Sequence, residues 1–263
     1  MNSLITRERL GDVLFALGSI AVTLLLWEGI VRYFQIPAFL VPPPSDVARA
    51  LMRNADLYRV HLGYTLLATV IAFFVALVLG IAMGTLTAEV RLVERTFSPI
   101  LIALQSAPRI ALAPMVIVWF GFGITSKVVL GVFTAFFPVF LNVSHGLAAI
   151  DREQVRLMQS LGASPLQIFF KIKLPASLPF IFAGANIALI FAMLSVIVAE
   201  FVGSNRGMGY LIVNQSNQLD TTGVFASVTV LAGVGLVFHY TLQAVRRRLL
   251  FWATDSESLG SGL

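Results

Sequence analysis

The hydrophobic positions of the chain fall into long continuous runs that are separated by shorter polar intervals. A helix needs roughly 20 apolar residues to cross about 30 Å of hydrocarbon. Long strand-like alternation is absent from the sequence, and helices satisfy their backbone hydrogen bonds inside lipid without partners. The pattern therefore predicts an all-α membrane protein with six transmembrane helices, at residues 13–31, 62–86, 98–120, 128–147, 178–199 and 224–245.

The polar intervals differ in positive charge, and this difference predicts the orientation of the helices. If the N-terminus is cytoplasmic, the larger set of arginines and lysines also falls on the cytoplasmic side, including the triple arginine 246–248 after the last span. Because positively charged loops tend to stay in the cytoplasm, we expect both termini to be cytoplasmic. The smaller outer set contains Arg32, Arg49, Arg53, Arg59, Lys127 and Arg206.

These boundaries divide the chain into four predicted segments. Residues 1–35 hold the N-terminal segment and the first transmembrane helix, 36–60 an outer loop with a surface helix, 61–247 a core of spans two to six, and 248–263 a cytoplasmic tail. In the outer loop, Ser45 follows three prolines and is predicted to cap the surface helix.

The composition supports a membrane protein and removes several classes of function. Only 12% of the residues are charged and 58% are hydrophobic, whereas a soluble domain carries roughly a quarter charged residues. The chain has no cysteine, which excludes disulfide frameworks and thiolate metal sites. It also lacks a phosphate-binding G-x4-G-K-[ST] loop and the H-E-x-x-H and G-x-S-x-G motifs. We therefore predict that the chain is not an enzyme and binds no metal or cofactor itself.

The most informative polar interval is residues 151–175, between the fourth and fifth spans. Asp151 is placed to cap a helix that Gly162 ends. Ser164 and Gln167 have the spacing of a capping box, which starts a second helix. This interval, called the hairpin below, is therefore predicted to form two short helices joined by a tight turn.

The second helix of the hairpin carries an apolar side. Leu166, Phe169 and Phe170 lie at positions i, i+3 and i+4, and Pro175 and Pro179 are predicted to end this helix and begin the fifth span. Such an apolar side needs a partner. Two interpretations follow: the hairpin packs back on its own spans, or it docks on another protein.

The residues of the hairpin also carry a resemblance. The sequence Gly162-x9-Ile172-x-Leu174-Pro175 resembles the second half of the E-A-A-x3-G-x9-I-x-L-P signature of permease subunits of bacterial ABC importers. The E-A-A positions are occupied instead by Arg-Leu-Met at 156–158. In that family the loop is the coupling element that docks into a groove on the ATPase subunit.

The resemblance covers about residues 40–252. The Pro-Arg-Ile-Ala-Leu-Ala-Pro run at 108–114, Trp-Phe-Gly at 119–121 and Gly-Met-Gly-Tyr at 207–210 are similar to the nitrate/sulfonate/taurine branch. The resemblance implies a type I importer permease in the bacterial cytoplasmic (inner) membrane, in which two copies face each other. It also implies separate ATPase subunits that bind ATP and Mg, and a periplasmic or lipid-anchored solute-binding protein. The coupling residues implied for this chain are Glu153, Gly162, Ala163, Ser164, Leu166, Phe169, Phe170, Leu174 and Pro175.

One cation falls near the middle of a predicted span. Arg109 lies about ten residues, or roughly 15 Å, into the third span, where an arginine costs about 2.5 to 3.5 kcal/mol on insertion scales. Together with Gln105 and Ser106, it could guide an anion or form part of a gate. The alternative is a structural arginine that pairs within the protein or extends to the interface.

Three polar residues of the fifth span are further candidates for the translocation path or its gate. Asn186 and Ser195 could line the path, and the alternative is hydrogen bonding between helices. Glu200, near the outer end, could be a gate or a contact for a solute-delivering protein. The alternative for Glu200 is an interfacial, partly hydrated carboxylate.

The leading hypothesis is a permease subunit of an ATP-driven importer that forms the translocation path and couples to a separate ATPase subunit. Its solute would be a small anionic or aromatic organic molecule, similar to nitrate, sulfonates or taurine, or a vitamin precursor. The alternative hypothesis is an ion- or proton-coupled carrier or channel, with Glu28, Arg109 and Glu200 as its ionisable groups.

Overall fold

The computed structural model describes the backbone of residues 2–90, 92–96 and 109–250, and the side chains of these residues except 2–14, 16, 17, 109 and 110. Throughout these ranges the regular structure is helical, which confirms the all-α prediction for this part of the chain. The principal elements are α1 (Asn2–Tyr33), α2 (Pro44–Arg53), α3 (Ala55–Glu89), a 3-10 turn (Arg109–Leu112), α4 (Ala113–Phe120), α5 (Ile124–Ala148), α6 (Arg152–Ser160), α7 (Pro165–Ile168), a π turn (Phe169–Lys173), α8 (Leu174–Val202), α9 (Met208–Asn217) and α10 (Thr221–Leu249).

Four of the described helices are long and apolar enough to cross a membrane: α3, α5, the continuous helix Pro165–Val202 and α10. They contain the predicted second, fourth, fifth and sixth spans. The first predicted span lies within α1, and most of the third, including residues 98–108, lies outside the described residues. The described part of the chain is therefore all-helical, with several helices suited to a membrane.

The short helix α2 begins one residue earlier than the predicted cap. Its N-cap is Pro43, which makes no side-chain cap hydrogen bond, so the prediction that Ser45 caps this helix is wrong. The Ser45 N–H and hydroxyl instead donate to the Glu28 carboxylate, at 3.0 and 2.8 Å. A nearby carboxylate on α1 therefore binds the donors of the first turn of α2.

The described chain forms two compact units, and the smaller one combines residues up to Arg59 with Leu211–Val230. Within it, Glu28 on α1 also accepts a hydrogen bond from Arg32 Nε at 2.5 Å. The rings of Trp27 and Phe225 lie 5.7 Å apart. These contacts join α1 to α2 and to the first part of α10.

The larger unit comprises the described residues of Val60–Tyr210 together with those from Leu231 onward. Its core is rich in small side chains, and α5 and α8 pack closely against each other along it. A Cβ added at Gly184 would lie 2.9 Å from the Pro138 carbonyl oxygen, and one at Gly80 would lie 2.6 Å from Val139 Cβ. Small residues thus let these backbones approach closely, as is typical of membrane helices.

Candidate functional site

The first arm of the hairpin is capped at both ends, as predicted. The Asp151 carboxylate accepts a hydrogen bond from the Glu153 N–H at 2.8 Å. At the other end Gly162 has a positive φ of 76°. The Gly162 and Ala163 N–H groups donate to the carbonyls of Gln159 and Met158, both at 3.0 Å. This double hydrogen bond is a Schellman motif, and it makes the turn a defined structure.

The second arm starts with the predicted capping box. Ser164 Oγ accepts from the Gln167 N–H at 3.3 Å, and Gln167 Oε1 accepts from the Ser164 N–H at 2.8 Å. Pro165 occupies the first turn, where its missing N–H costs nothing. Both arms therefore hold their shape through hydrogen bonds that are local in the sequence.

Pro175 and Pro179 do not end the second arm, so that prediction is wrong. The chain passes from α7 through the π turn into α8 without a break, and the Leu174 N–H donates to the Phe169 carbonyl five residues earlier. A proline lacks an N–H and its ring crowds the carbonyl four residues before it. A wide π turn just before Pro175 accommodates this conflict, so the second arm and α8 form one helix.

The apolar residues of the hairpin are divided between the core and the surface. Phe169 and Leu174 pack against the buried cluster of the larger unit, and Ile168 is only 5% exposed. Leu166 and Phe170, in contrast, are 70% and 61% exposed. Leu157 and Leu161 of the first arm are similarly exposed. We call these four exposed side chains, Leu157, Leu161, Leu166 and Phe170, the apolar patch.

Charged side chains surround the base of the hairpin. Lys173 Nζ donates to both oxygens of Glu89, at 2.6 and 2.8 Å, and so links the second arm to the end of α3. Arg152, Arg156 and Lys173 line a cavity of about 310 Å³. Arg156 occupies the position of the signature's acidic residue, and the nearby Glu153 is exposed.

At the opposite end of α8, Glu200 is buried, with only 3% of its surface exposed. Its carboxylate accepts hydrogen bonds from Thr65 Oγ1 at 2.9 and 3.0 Å, and from the Gly209 N–H at 2.8 Å. Thr65 Oγ1 in turn accepts from the Met208 N–H at 2.8 Å. The interpretation of Glu200 as a partly hydrated interfacial carboxylate is therefore wrong. We call Glu200, Thr65, Met208 and Gly209 the Glu200 cluster.

Lys127 is a second buried charge in the same region, and the sequence placed it only among the outer cations. It is 4% exposed, and its Nζ donates to the carbonyls of Phe122 at 2.5 Å and Gly203 at 2.8 Å. Gly203 caps the C-terminal end of α8, where a cation interacts favourably with the helix dipole.

The turn before α9 completes this region. The Gly207 N–H lies 3.1 Å from His61 Nδ1, and the His61 ring stacks on Tyr210 with centroids 5.8 Å apart. Gly207 has a φ of 107°, and a Cβ at this position would overlap the Glu200 carboxylate. The glycine is therefore required both by its backbone conformation and by the close approach of Glu200.

The other predicted path residues lie in different surroundings. Ser195 is buried and accepts a hydrogen bond from Thr134 Oγ1 at 2.7 Å, which joins α8 to α5. Asn186 lines a cavity of about 290 Å³ between α8 and α10, together with His239, Gln243 and Arg246. The structure therefore does not bring Ser195, Asn186 and Glu200 into one site.

The side chains of the three candidates on the third span lie outside the part of the chain that the structure describes. Gln105 and Ser106 lie outside the described residues, and Arg109 is described only as the first residue of the 3-10 turn. Among the residues that are described, no three histidine, aspartate or glutamate side chains are grouped to hold a metal ion.

A family model described as "Binding-protein-dependent transport system inner membrane component" matches residues 76–251, more than half of the chain. The chain is 34% identical over 229 residues to the formylaminopyrimidine transport permease protein ThiX of Halalkalibacterium halodurans, covering 87% of this chain and 92% of the relative. It is 30% identical over 249 residues to the taurine transport system permease protein TauC of Escherichia coli, covering 92% and 90%. The riboflavin transport system permease protein RibX of Chloroflexus aurantiacus is 32% identical over 236 residues, with 89% and 88% covered.

Solved structures give the same fold. A chain of the MetNI methionine ABC transporter in an inward-facing conformation superimposes with a TM-score of 0.65, covering 73% of this chain and 95% of that one at 23% identity. A second crystal form of the same transporter gives a TM-score of 0.61.

Proposed function

Because the chain belongs to the binding-protein-dependent transport system inner membrane components, the permease subunits of ABC importers, we propose that its hairpin is the element through which a separate ATPase drives transport. The chain is a permease subunit and not an enzyme, since the ATPase in this family is a separate subunit. Family membership also decides against the alternative of an ion-coupled carrier or channel.

The observation that carries this proposal is the apolar patch on a rigid hairpin. A surface of exposed leucine and phenylalanine side chains on an ordered element is typical of a docking site for another protein. Caps at both ends of the first arm and at the start of the second fix the shape of this surface. The groove of an ATPase subunit would cover it.

The continuous helix supports a mechanical role for the hairpin. The second arm runs without a break into α8, so a displacement of the docked hairpin moves the membrane helix directly. Lys173 and Glu89 join the same arm to α3. Nucleotide-driven closure of two ATPase subunits would then tilt α8 and α3 together and open the path to the other side.

The implied coupling residues take different parts in this proposal. Gly162, Ala163 and Ser164 form the turn that enters the groove. Leu166 and Phe170 contact the ATPase, and Phe169 and Leu174 hold the arm against the core. Pro175 lies in the first turn of α8, where the arm continues into the membrane helix. Glu153 or Arg156 makes the polar contact, because both are exposed on the first arm.

The remaining parts of the proposal concern the assembly. Six spans with cytoplasmic termini would place the hairpin in the cytoplasm of a bacterium. Two permease copies would form the path across the inner membrane, and a solute-binding protein would deliver solute on the periplasmic side. Relatives named for taurine, formylaminopyrimidine and riboflavin transport support a small organic solute that is anionic or aromatic.

The test is a charge placed in the apolar patch. The variants Leu166→Asp and Phe170→Asp should still insert in the membrane but should no longer retain the ATPase subunit during purification, because a carboxylate in an apolar contact is left without a partner. Leu40→Asp is the matched control, since Leu40 is also largely exposed, at 58%, and lies outside the hairpin. Full retention of the ATPase by the Leu166→Asp and Phe170→Asp variants would refute the docking proposal.

A further inference from the structure

A cavity of about 310 Å³ lies between the beginning of α5, the end of α8 and the neighbouring part of α3. Its walls include Tyr64, Leu67, Phe122, Ile124 and Lys127. This volume is at the lower end of the range of about 300 to 1,000 Å³ that is usual for small-molecule sites. The cavity is therefore large enough for a small organic ligand, and aromatic and aliphatic side chains form much of its surface.

Lys127 supplies a fixed cation to this cavity. Its ammonium group is held from two sides by the carbonyls of Phe122 and Gly203. An ammonium group has three N–H donors, and these two carbonyls are its only acceptors among the described residues. Within the described part of the chain, the third donor of this nearly buried lysine thus has no acceptor, and the residue lines the cavity.

The other charged side chains of the cavity favour an anion as that ligand. The Glu200 carboxylate is already bound by Thr65 and Gly209. Arg206 adds a second cation, with its guanidinium 4.9 Å from the centre of the Tyr64 ring and donating to the Tyr64 hydroxyl. The charged groups of the described residues that line the cavity are thus two cations and one carboxylate, which leaves one net positive charge for an anion.

We propose that this cavity binds an organic monoanion, with its carboxylate or sulfonate group on Lys127 and its apolar part between Leu67, Phe122 and Ile124. The inference rests on the proposed function, because the ligand would be the solute on its way into or out of the path. Lys127 selects the anionic group through a charge-assisted hydrogen bond. The apolar walls select an organic solute over a small inorganic anion.

The test measures binding directly, on the permease in complex with its ATPase subunits in phosphatidylcholine nanodiscs. The probes are para-fluorobenzenesulfonate and its neutral analogue para-fluorobenzenesulfonamide, titrated by fluorine NMR. The sulfonate should bind at least about tenfold more tightly than the sulfonamide, because only the sulfonate offers a charge to Lys127.

Two variants locate the probe in the cavity. Lys127→Met should weaken sulfonate binding at least about tenfold, since it removes one charge-assisted hydrogen bond. Leu67→Trp should also weaken binding by filling the space while leaving Lys127 intact, and Leu67 is 53% exposed, so the larger ring does not disturb the core. Arg59→Met removes an exposed cation of α3 outside the cavity and should leave binding unchanged.

Three results would overturn the inference. The first is equal binding of the two probes. The second is binding by the Leu67→Trp and Lys127→Met variants that is as tight as in the unmodified protein. The third is displacement of the probe when phosphatidylglycerol is added to the phosphatidylcholine of the nanodisc. The last result would assign the cavity to a lipid headgroup.

The inference and the proposed function can fail separately. Sulfonate binding together with full retention of the ATPase by the Leu166→Asp and Phe170→Asp variants would refute the coupling proposal alone. ATP-driven uptake of sulfonates that is unaffected by Lys127→Met would refute only the proposal that the cavity binds the solute.

Discussion

The two ends of α8 carry side chains of opposite kinds in opposite surroundings. At the N-terminal end, the hairpin exposes the apolar patch, whose leucine and phenylalanine side chains contact little of the described chain. At the C-terminal end, Glu200 and Lys127 are almost completely buried, and backbone and hydroxyl groups of this chain bind both charges. One end is thus apolar and exposed, and the other is charged and enclosed.

This difference indicates which contacts are internal and which belong to a partner. A buried charge requires hydrogen bonds from its own chain, and the Glu200 cluster provides them. Contact between an exposed apolar surface and another protein removes the surface from water, which lowers the free energy. We therefore expect changes at the hairpin to affect assembly with the ATPase, and changes at the Glu200 cluster to affect the stability of the permease.

The largest effect on assembly is expected from Gly162→Val. A β-branched residue does not tolerate the positive φ at this turn, although the space around Gly162 is open. The variant should lose ATP-driven uptake and ATPase binding while it still inserts. Gly162→Asn is the control, because asparagine tolerates this conformation far better, and it should retain most of the ATPase. Loss of ATPase binding in both variants to the same extent would show that turn geometry is not the cause.

A large effect on stability is expected from Gly207→Ala. The added Cβ would overlap the Glu200 carboxylate at a residue whose φ is 107°, and strain and overpacking together cost about 3 kcal/mol. Thermal unfolding of the purified permease measures the loss. Gly63→Ala is the matched control, since a Cβ there meets no atom within 4 Å. Equal stability of the two variants would contradict the role assigned to the Glu200 cluster.

The smallest effect is expected from the ion pair between Lys173 and Glu89. The two side chains are 23% and 35% exposed, and exposed ion pairs contribute less than about 1 kcal/mol. A double-mutant cycle with Lys173→Met and Glu89→Gln should therefore give a coupling free energy below about 1 kcal/mol in thermal unfolding. A coupling of several kcal/mol would mean that the hairpin is held to α3 far more tightly than its exposure suggests.

The hairpin was largely predictable because its structure depends on neighbours in the sequence. Asp151, Gly162 and the pair Ser164 and Gln167 act over two to five residues, and each takes its predicted part. The predicted end of the second arm at Pro175 was wrong because a π turn allows the helix to continue through a proline. The hydrophobic pattern does not distinguish a continuous helix from a broken one at this position. The predicted apolar side did not remain one exposed surface, because Phe169 packs against the core through tertiary contacts.

The Glu200 cluster could not be derived in the same way. Thr65 and Glu200 lie on two different helices, 135 residues apart in the sequence, and nothing local relates them. The sequence did offer one signal, the two glycines Gly207 and Gly209 soon after Glu200, and both approach its carboxylate closely. Hydropathy alone placed Lys127 and Glu200 near the ends of spans, where charged side chains are usually hydrated. Their burial was therefore not expected from the sequence.

Photo-crosslinking at the apolar patch tests the central claim most directly. Benzoylphenylalanine would replace Leu161, Leu166 or Phe170 in turn, with Leu40 and Leu219 as exposed controls outside the hairpin. In membranes that contain the ATPase subunit, the three hairpin positions should crosslink to the ATPase, and the yield should change when ATP is added. Crosslinks from the hairpin only to the permease itself, or to the ATPase equally from Leu40 and Leu219, would contradict the assignment of the hairpin as the coupling element.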